Sequence, residues 1–468
     1  MPAAASGRRL SQAEELPPPA GLLVSGMSSL AWMTVSVVFG MVLFAPAAAG
    51  QKDNDKSARR EQAHEFLLGQ GRTAMLMLVK APAWNTADAG DQGLLLRALL
   101  ASKISEDDAR ISTQFTAWMA RDITLDVLAH SERVWIATLA RAEAAELRGL
   151  VDRLCGMQAA DGAFVQPAPG KGPPLERVVV TGRVLEALAA AERLGVTAGA
   201  KVWDGALDFL LAAQGGDGGM PASGRRHGAA TARGLAALLA AAARTVDPAR
   251  RDQALEAAAR AEKWLVANFR PDRNPGAQRG TFEWLGALEP AVARAWLVRC
   301  DDHAVADEVF TFLLGSQLSS TGWNEDNMPQ LPLRSSQGGG AAPRATPLVQ
   351  RTEADVADTA WGVLYLARPT EPTGNDDAVS AAYRLAALGR AGQRAEDADA
   401  FVERARLATG AVLPALVDGL TGDGVLARRA ADGALRVRSG KDMGFAPQGA
   451  KAANAAAILR WRAWAGIK

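Results

Sequence analysis

Residues Leu207 to Met220 read LDFLLAAQGGDGGM: an apolar stretch, then Gln214, then a short turn of Gly and Asp. The same form recurs in DRLCGMQAADGAF (Asp152 to Phe164) and in FTFLLGSQLSSTGW (Phe310 to Trp323), with Gln158 and Gln317 at the matching place. Fainter copies lie in HEFLLGQGRTA near Gln70, FTAWMARDITL near Arg121 and EKWLVANFRPDR near Asn268. Anchored at 70, 121, 158, 214, 268 and 317, the copies stand between 37 (121 to 158) and 56 (158 to 214) residues apart, the period of a repeat architecture. A second apolar segment follows each copy: GLLLRALLAS, VWIATLARAEA, VVVTGRVLEALAAAERLG, GAATARGLAALLAAAA, EWLGALEPAVARAWLV and DTAWGVLYLAR. The pattern predicts six helical hairpins. Gly in the turn supplies the positive φ on which a helix ends. Ala and Leu let the second helix pack closely on both sides, and the Gln amide can reach an orphan backbone group of the adjoining hairpin. One hairpin cannot bury its apolar face, whereas a closed ring of six can.

Composition agrees with this reading. The chain has 468 residues, enough for two or three domains and a core that needs no metal or disulfide. About a fifth of it is Ala, aromatic residues are 6% and Tyr only 2, far from the enrichment of sheet proteins. The expected class is all-α. With 52 basic against 51 acidic residues the net charge is +1, which excludes the basic footprint of a nucleic-acid partner. Cys155 and Cys300 lie in apolar helical sequence outside any CxxC spacing and read as small buried hydrophobes. The 12 tryptophans are plentiful beside two tyrosines and are either packing anchors or the lining of a pocket.

Residues 1–50 read as a signal peptide or an N-terminal membrane anchor. Ala20 to Gly50 holds no charged residue, and LAWMTVSVVFGMVLF (Leu30 to Phe44) precedes small residues in A-x-A spacing. Either form implies an exported, extracytoplasmic protein, secreted or tethered, with membrane contact through this segment. Residues 51–60 (QKDNDKSARR) read as a polar linker.

The repeat resembles that of the prenyltransferase and squalene-cyclase superfamily over Glu61 to Arg368. The resemblance implies an α/α toroid of about six helical hairpins around a central cavity, placed at residues 61–369. Class II terpenoid cyclases of that superfamily carry D-x-D-D-T-A, and Asp355-Val356-Ala357-Asp358-Thr359-Ala360 is similar to it. The family's central aspartate, its general acid, corresponds here to Ala357. A methyl group has no proton to transfer, so Asp355 and Asp358 are the remnant of a degenerate motif, and Asp355 also fits a helix cap. His227 to Leu238 (HGAATARGLAAL) looks like a segment of the protein prenyltransferase β subunits, with Arg233 where that segment has cysteine. Cys300, Asp301, Asp302 and His303 bring thiolate, carboxylate and imidazole together, with Cys300 and His303 placed to share a helix face. Zinc needs three or four converging ligands, no spacing supplies the rest, and neither a metal nor a cofactor is expected. Glu283, Glu325 and Asp326 beside Trp284 and Trp323 are the candidates for a glycan site, which requires two carboxylates across a cleft.

The insertion Asn324 to Thr352 has the Gly and Pro content of a loop. Pro369 to Asp377 breaks the helical pattern, and residues 370–468 form the expected second domain. There VLPALVDGL, with Pro414, and VLARRAADGAL resemble a HEAT-type repeat, in which Arg428 or Arg429, Ala430, Ala431, Ala434 and Leu435 fill the second-helix pattern. Trp461 and Trp464, at i and i+3, suit a cap on the stack. Such helices serve mainly as protein-contact surfaces.

The function expected is that of a non-catalytic helical-repeat scaffold or binding module with a protein partner. The alternatives are a terpenoid cyclase-like enzyme or a binder of an isoprenoid or other apolar ligand in the toroid cavity, and a glycan-processing or glycan-binding toroid. Trp284, Trp296 and Trp361, on second helices, are the candidates for a cavity wall together with Asp355 and Asp358. An apolar, Trp-lined hole would favour the isoprenoid reading, and a filled or polar centre the scaffold.

Overall fold

Gly228–Ala242 is helical and every residue of it is buried, whereas in Ala200–Ala213, the helix before it, only Trp203, Ala206, Leu207 and Leu210 are. The 3-4-7 spacing of the latter set is one apolar stripe. A helix buried all round must instead have neighbours on every side, and small side chains let their backbones come close. This contrast between a one-sided first helix and an enclosed second helix recurs along the chain.

The structure is a computed structural model and describes residues 52–167, 176–222, 225–277, 279–318, 321–327, 354–368, 374–390 and 393–467. The export or anchor segment and most of the 324–352 insertion lie outside the described residues. The helices are α1 (Lys52–Leu78), α2 (Pro82–Thr86), α3 (Ala89–Ala101), α4 (Ser112–Ala120), α5 (Val127–Leu139), α6 (Ala144–Cys155), α7 (Arg177–Ala191), α8 (Ala200–Ala213) and α9 (Gly228–Ala242). They continue as α10 (Pro248–Asn268), α11 (Thr281–Ala295), α12 (Val305–Ser316), α13 (Val356–Ala367), α14 (Asn375–Leu388), α15 (Ala395–Leu407), α16 (Leu413–Gly419), α17 (Val425–Ser439) and α18 (Lys451–Trp464). The chain is predominantly helical, and its few strands are two-residue pieces. Lys52 to Arg60, read from sequence as a linker, begin the first helix. None of the helices among the described residues is long and apolar enough to cross a membrane.

Residues 1–60 and 61–468 are separate units. Within the second, the enclosed helices are α3, α5, α7, α9, α11 and α13, each overlapping one of the six second segments of the repeat. α3 packs on α5, α5 on α7, α7 on α9, α9 on α11 and α11 on α13, and α13 packs back on α3.

The three plain repeat copies build one turn three times. Ala159 N–H donates to Ala163 O at 2.8 Å, Gly215 N–H to Gly219 O at 3.0 Å and Leu318 N–H to Gly322 O at 2.9 Å. Gly162 (φ +85°) and Gly218 (φ +91°) take the left-handed position, which Thr321 (φ +68°) fills in the third copy. A Cβ on Gly162 would lie 1.9 Å from Gly205 O, and one on Gly218 2.2 Å from Arg260 O, so the turn is pressed against the next hairpin. The Gln amides tie it there. Gln158 donates to Gly162 O and to Val202 O of α8, both at 2.9 Å; Gln214 donates to Gly218 O at 3.0 Å and to Ala257 O of α10 at 2.8 Å. Gln317 donates to Thr321 O at 2.8 Å.

The boundary read near Pro369 falls inside a single compact unit, at a change of packing partners. One apolar cluster runs from Leu67 to Leu366 and takes in Tyr383; a second comprises Trp296 and side chains of α14 to α18. α14 joins the two. Its Asp376 is buried between Arg244 (2.6 Å) and Arg294 (2.8 Å), and its Arg384 pairs with Glu262 at 3.0 Å and donates to Ala295 O at 2.8 Å. Beyond α14, α15 packs on α17 and α16 on α14 and α17. Pro414 stands in the first turn of α16, where a missing N–H costs nothing. Trp461 is fully buried with Trp464 edge-on to it at 5.6 Å.

Candidate functional site

The interior of the six enclosed helices holds charge. α3 contributes Arg97, α5 Glu132, α7 Arg183 and Glu186, and α9 Arg233, all within a few per cent of complete burial. Arg183 donates to Glu132 at 2.7 Å, and Arg97 stands 3.2 Å from the other oxygen of that carboxylate, close enough for an ion pair though not aligned as a hydrogen bond. Arg233 donates to both oxygens of Glu186, at 3.0 and 3.1 Å. A buried charge survives only when paired, and here three guanidiniums share two carboxylates.

Trp361 supplies the remaining stabilisation. Its ring, on α13, lies 4.9 Å from the Arg233 guanidinium carbon, 5.2 Å from that of Arg183 and 5.6 Å from that of Arg97. Desolvated cation–π contacts of this kind are worth about 2 kcal/mol each. Trp135 of α5 takes Arg97 from another side at 5.3 Å. Gly286 of α11 makes room for the indole: a Cβ there would fall 2.2 Å from Trp361 Cε3. Gly182 of α7 does the same for Arg233, whose own Cβ would lie 2.8 Å from an added one.

The other two candidate tryptophans go elsewhere. Trp284 is fully buried and donates its indole N–H to Arg270 O at 2.8 Å, in the packing of α11 on the loop before it. Trp296 ends α11 and belongs to the second apolar cluster, 5.3 Å from the Phe401 ring.

Asp355 and Asp358 stand at the N-terminal end of the enclosed helices. Asp355 caps α13, accepting from Ala357 N–H at 2.9 Å and Asp358 N–H at 3.0 Å. Asp358 accepts from Glu325 N–H at 2.7 Å. Burial, and then the charge of Asp355, push the Asp358 carboxyl well above the usual range. Asp91, in the first turn of α3, is pushed up to about 7 by burial first and Asp88 second, with Asp355 and Glu283 adding to it against Arg183. The first turns of α3, α11 and α13 thus gather acidic groups at one end, to which Ala357 adds no carboxyl.

Of the carboxylates considered for glycan chemistry, Glu283 stands in the first turn of α11, and Glu325 and Asp326 are engaged. Glu325 accepts from the backbone N–H groups of Gly280 (2.7 Å) and Thr281 (2.9 Å) and from Thr281 Oγ1 (2.9 Å), so it caps α11 across chain. Asp326 pairs with Arg279 at 3.0 Å. His227 caps α9 through Nδ1, which accepts from Ala230 N–H at 3.4 Å, and its Nε2 meets the Asn274 amide at 3.2 Å. Arg233, within the HGAATARGLAAL stretch, serves the interior ion pair. Cys300 and His303 do not share a helix face. They face each other across a two-stranded hairpin, Arg299–Cys300 (β1) against His303–Ala304 (β2), formed because Asp301 takes a left-handed turn at φ +51°. Burial pushes the Cys300 thiol up, and His303 Nδ1 is 2.7 Å from Glu308. Among the described residues, no three His, Cys, Asp or Glu side chains are grouped to hold a metal ion.

What the sequence reading missed is the buried Arg/Glu set itself. Arg97 and Arg233 are the lone charges of GLLLRALLAS and GAATARGLAALLAAAA, and Arg183 with Glu186 interrupts the apolar run of VVVTGRVLEALAAAERLG; that recurrence of a charge inside a second segment was the available signal. No protein-family model matches the chain, and no curated protein matches it either.

Proposed function

We propose that the six hairpins form an α/α toroid of the prenyltransferase and squalene-cyclase repeat type and that the chain works as a non-catalytic scaffold or binding module. On this reading the N-terminal apolar segment carries it out of the cytoplasm, the HEAT-like helices α14 to α18 offer a protein-contact surface, and a protein is the partner. The observation that carries the proposal is Trp361 lodged among Arg97, Arg183 and Arg233. A cyclase needs an open apolar chamber and a carboxylic acid at its wall. Here the corresponding space is taken by an indole and paired charges, and position 357 is Ala. The cyclase alternative and an isoprenoid ligand in the interior both require that space to be empty.

The test is incubation of the full chain with squalene and with oxidosqualene, followed by product analysis. No cyclised product is expected above the level of a heat-inactivated sample. A cyclised product formed in proportion to protein would overturn the proposal.

A further inference from the structure

A cavity of about 380 Å³ lies away from the helix interior, where α11 and α13 end beside α12 and α15. Its apolar walls include Trp296, Leu297 and Tyr365, and its charged walls Arg368, Arg404 and Glu289. The volume and the mostly apolar lining with a few charged groups are those of a small-molecule site. Two of the walls are held in costly backbone: Trp296 (φ +49°) and Arg368 (φ +48°) end their helices in the left-handed region without being glycine, a strain that gathers at ligand sites. The indole N–H of Trp296 is buried and has no acceptor among the described residues. Buried donors rarely go unmatched. Arg368 and Arg404 have no ion-pair partner among the described residues, unlike the interior arginines.

We propose that this cavity binds a small amphipathic monocarboxylate. Its apolar body lies against Trp296, Leu297 and Tyr365, and its carboxylate meets the guanidiniums of Arg368 and Arg404. Two cations against the single carboxylate of Glu289 leave the cavity with a net positive charge, which selects a monoanion over a neutral or cationic molecule of the same shape. The site does not depend on the role of the helix interior and stands whether or not the scaffold reading does.

Decanoate and decanol share an apolar tail and differ in head-group charge, so calorimetric titration of the full chain with each separates the carboxylate from the tail. Decanoate is expected to saturate one site and to bind at least about tenfold more tightly than decanol, and R404Q and the double variant R368Q/R404Q should weaken decanoate by about tenfold or more with no effect on decanol. Equal affinity for the two probes on the unaltered chain, unsaturable uptake of decanoate, or unchanged decanoate binding in R368Q/R404Q would each overturn the proposal. The comparison on the unaltered chain needs no variant to fold.

Discussion

Thr181, Thr231 and Thr359 each accept, through Oγ1, the backbone N–H that follows a repeat turn: those of Phe164 (2.9 Å), Met220 (2.9 Å) and Trp323 (3.1 Å). All three hydroxyls are on enclosed helices and fully buried. Thr231→Val keeps the shape and removes the acceptor, leaving the Met220 N–H buried and unmatched, so we expect a loss of about 1–3 kcal/mol by urea unfolding. Thr311→Val, on the exposed face of α12, should stay within about 0.5 kcal/mol. The repeat glutamines were legible because they recur at a fixed place before a turn, but the threonines were not, since a hydroxyl inside an apolar segment looks the same whether it faces a neighbour's amide or its own helix. Asp91 gives a test of charge at this scale. Its carboxyl is pushed up to about 7, so between the ordinary carboxylate range near 4 and 7 the folded chain holds a proton that the unfolded chain releases. Stability therefore falls as pH rises through that window. Asp91→Asn removes the dependence, and the stability of D91N relative to the unaltered chain should rise from pH 4 to pH 7 and level off above it.

At the scale of elements, α14 is held by buried ion pairs as well as by apolar contact. Asp376 is buried with Arg244 and Arg294, and burial, which alone would raise its carboxyl, is outweighed by those two guanidiniums, so it sits below the usual range. Asp376→Ala strands the buried Arg294 and leaves Arg244 with Glu192 alone (2.6 Å), and should cost about 3–5 kcal/mol, read as a lower urea midpoint. The helix was legible from its period, but its attachment was not. Asp376 belongs to the run Gly374-Asn375-Asp376-Asp377, which as sequence is a turn and a helix start, and nothing local says that Arg244 and Arg294 wait 132 and 82 residues (376 − 244 and 376 − 294) before it. The same limit applies to Cys300 and His303, where the left-handed Asp301 turned an expected helix face into a hairpin.

For the molecule as a whole, the hairpin count and the enclosed second helices followed from the period of the repeat, because an all-apolar helix must be covered on every side. What fills the space between those helices did not follow, because it is set by six segments far apart in the chain meeting at one place. Three arginines, two glutamates and an indole fit together there only because Gly182 and Gly286 lack side chains. The central claim is that this interior is packed, not an open chamber, and Trp361→Ala tests it most directly. If the indole fills the interior and its ring stabilises three guanidiniums, urea unfolding of W361A should show a loss of about 3–5 kcal/mol. A loss below about 1 kcal/mol, as for a side chain that merely borders a cavity, would contradict the account.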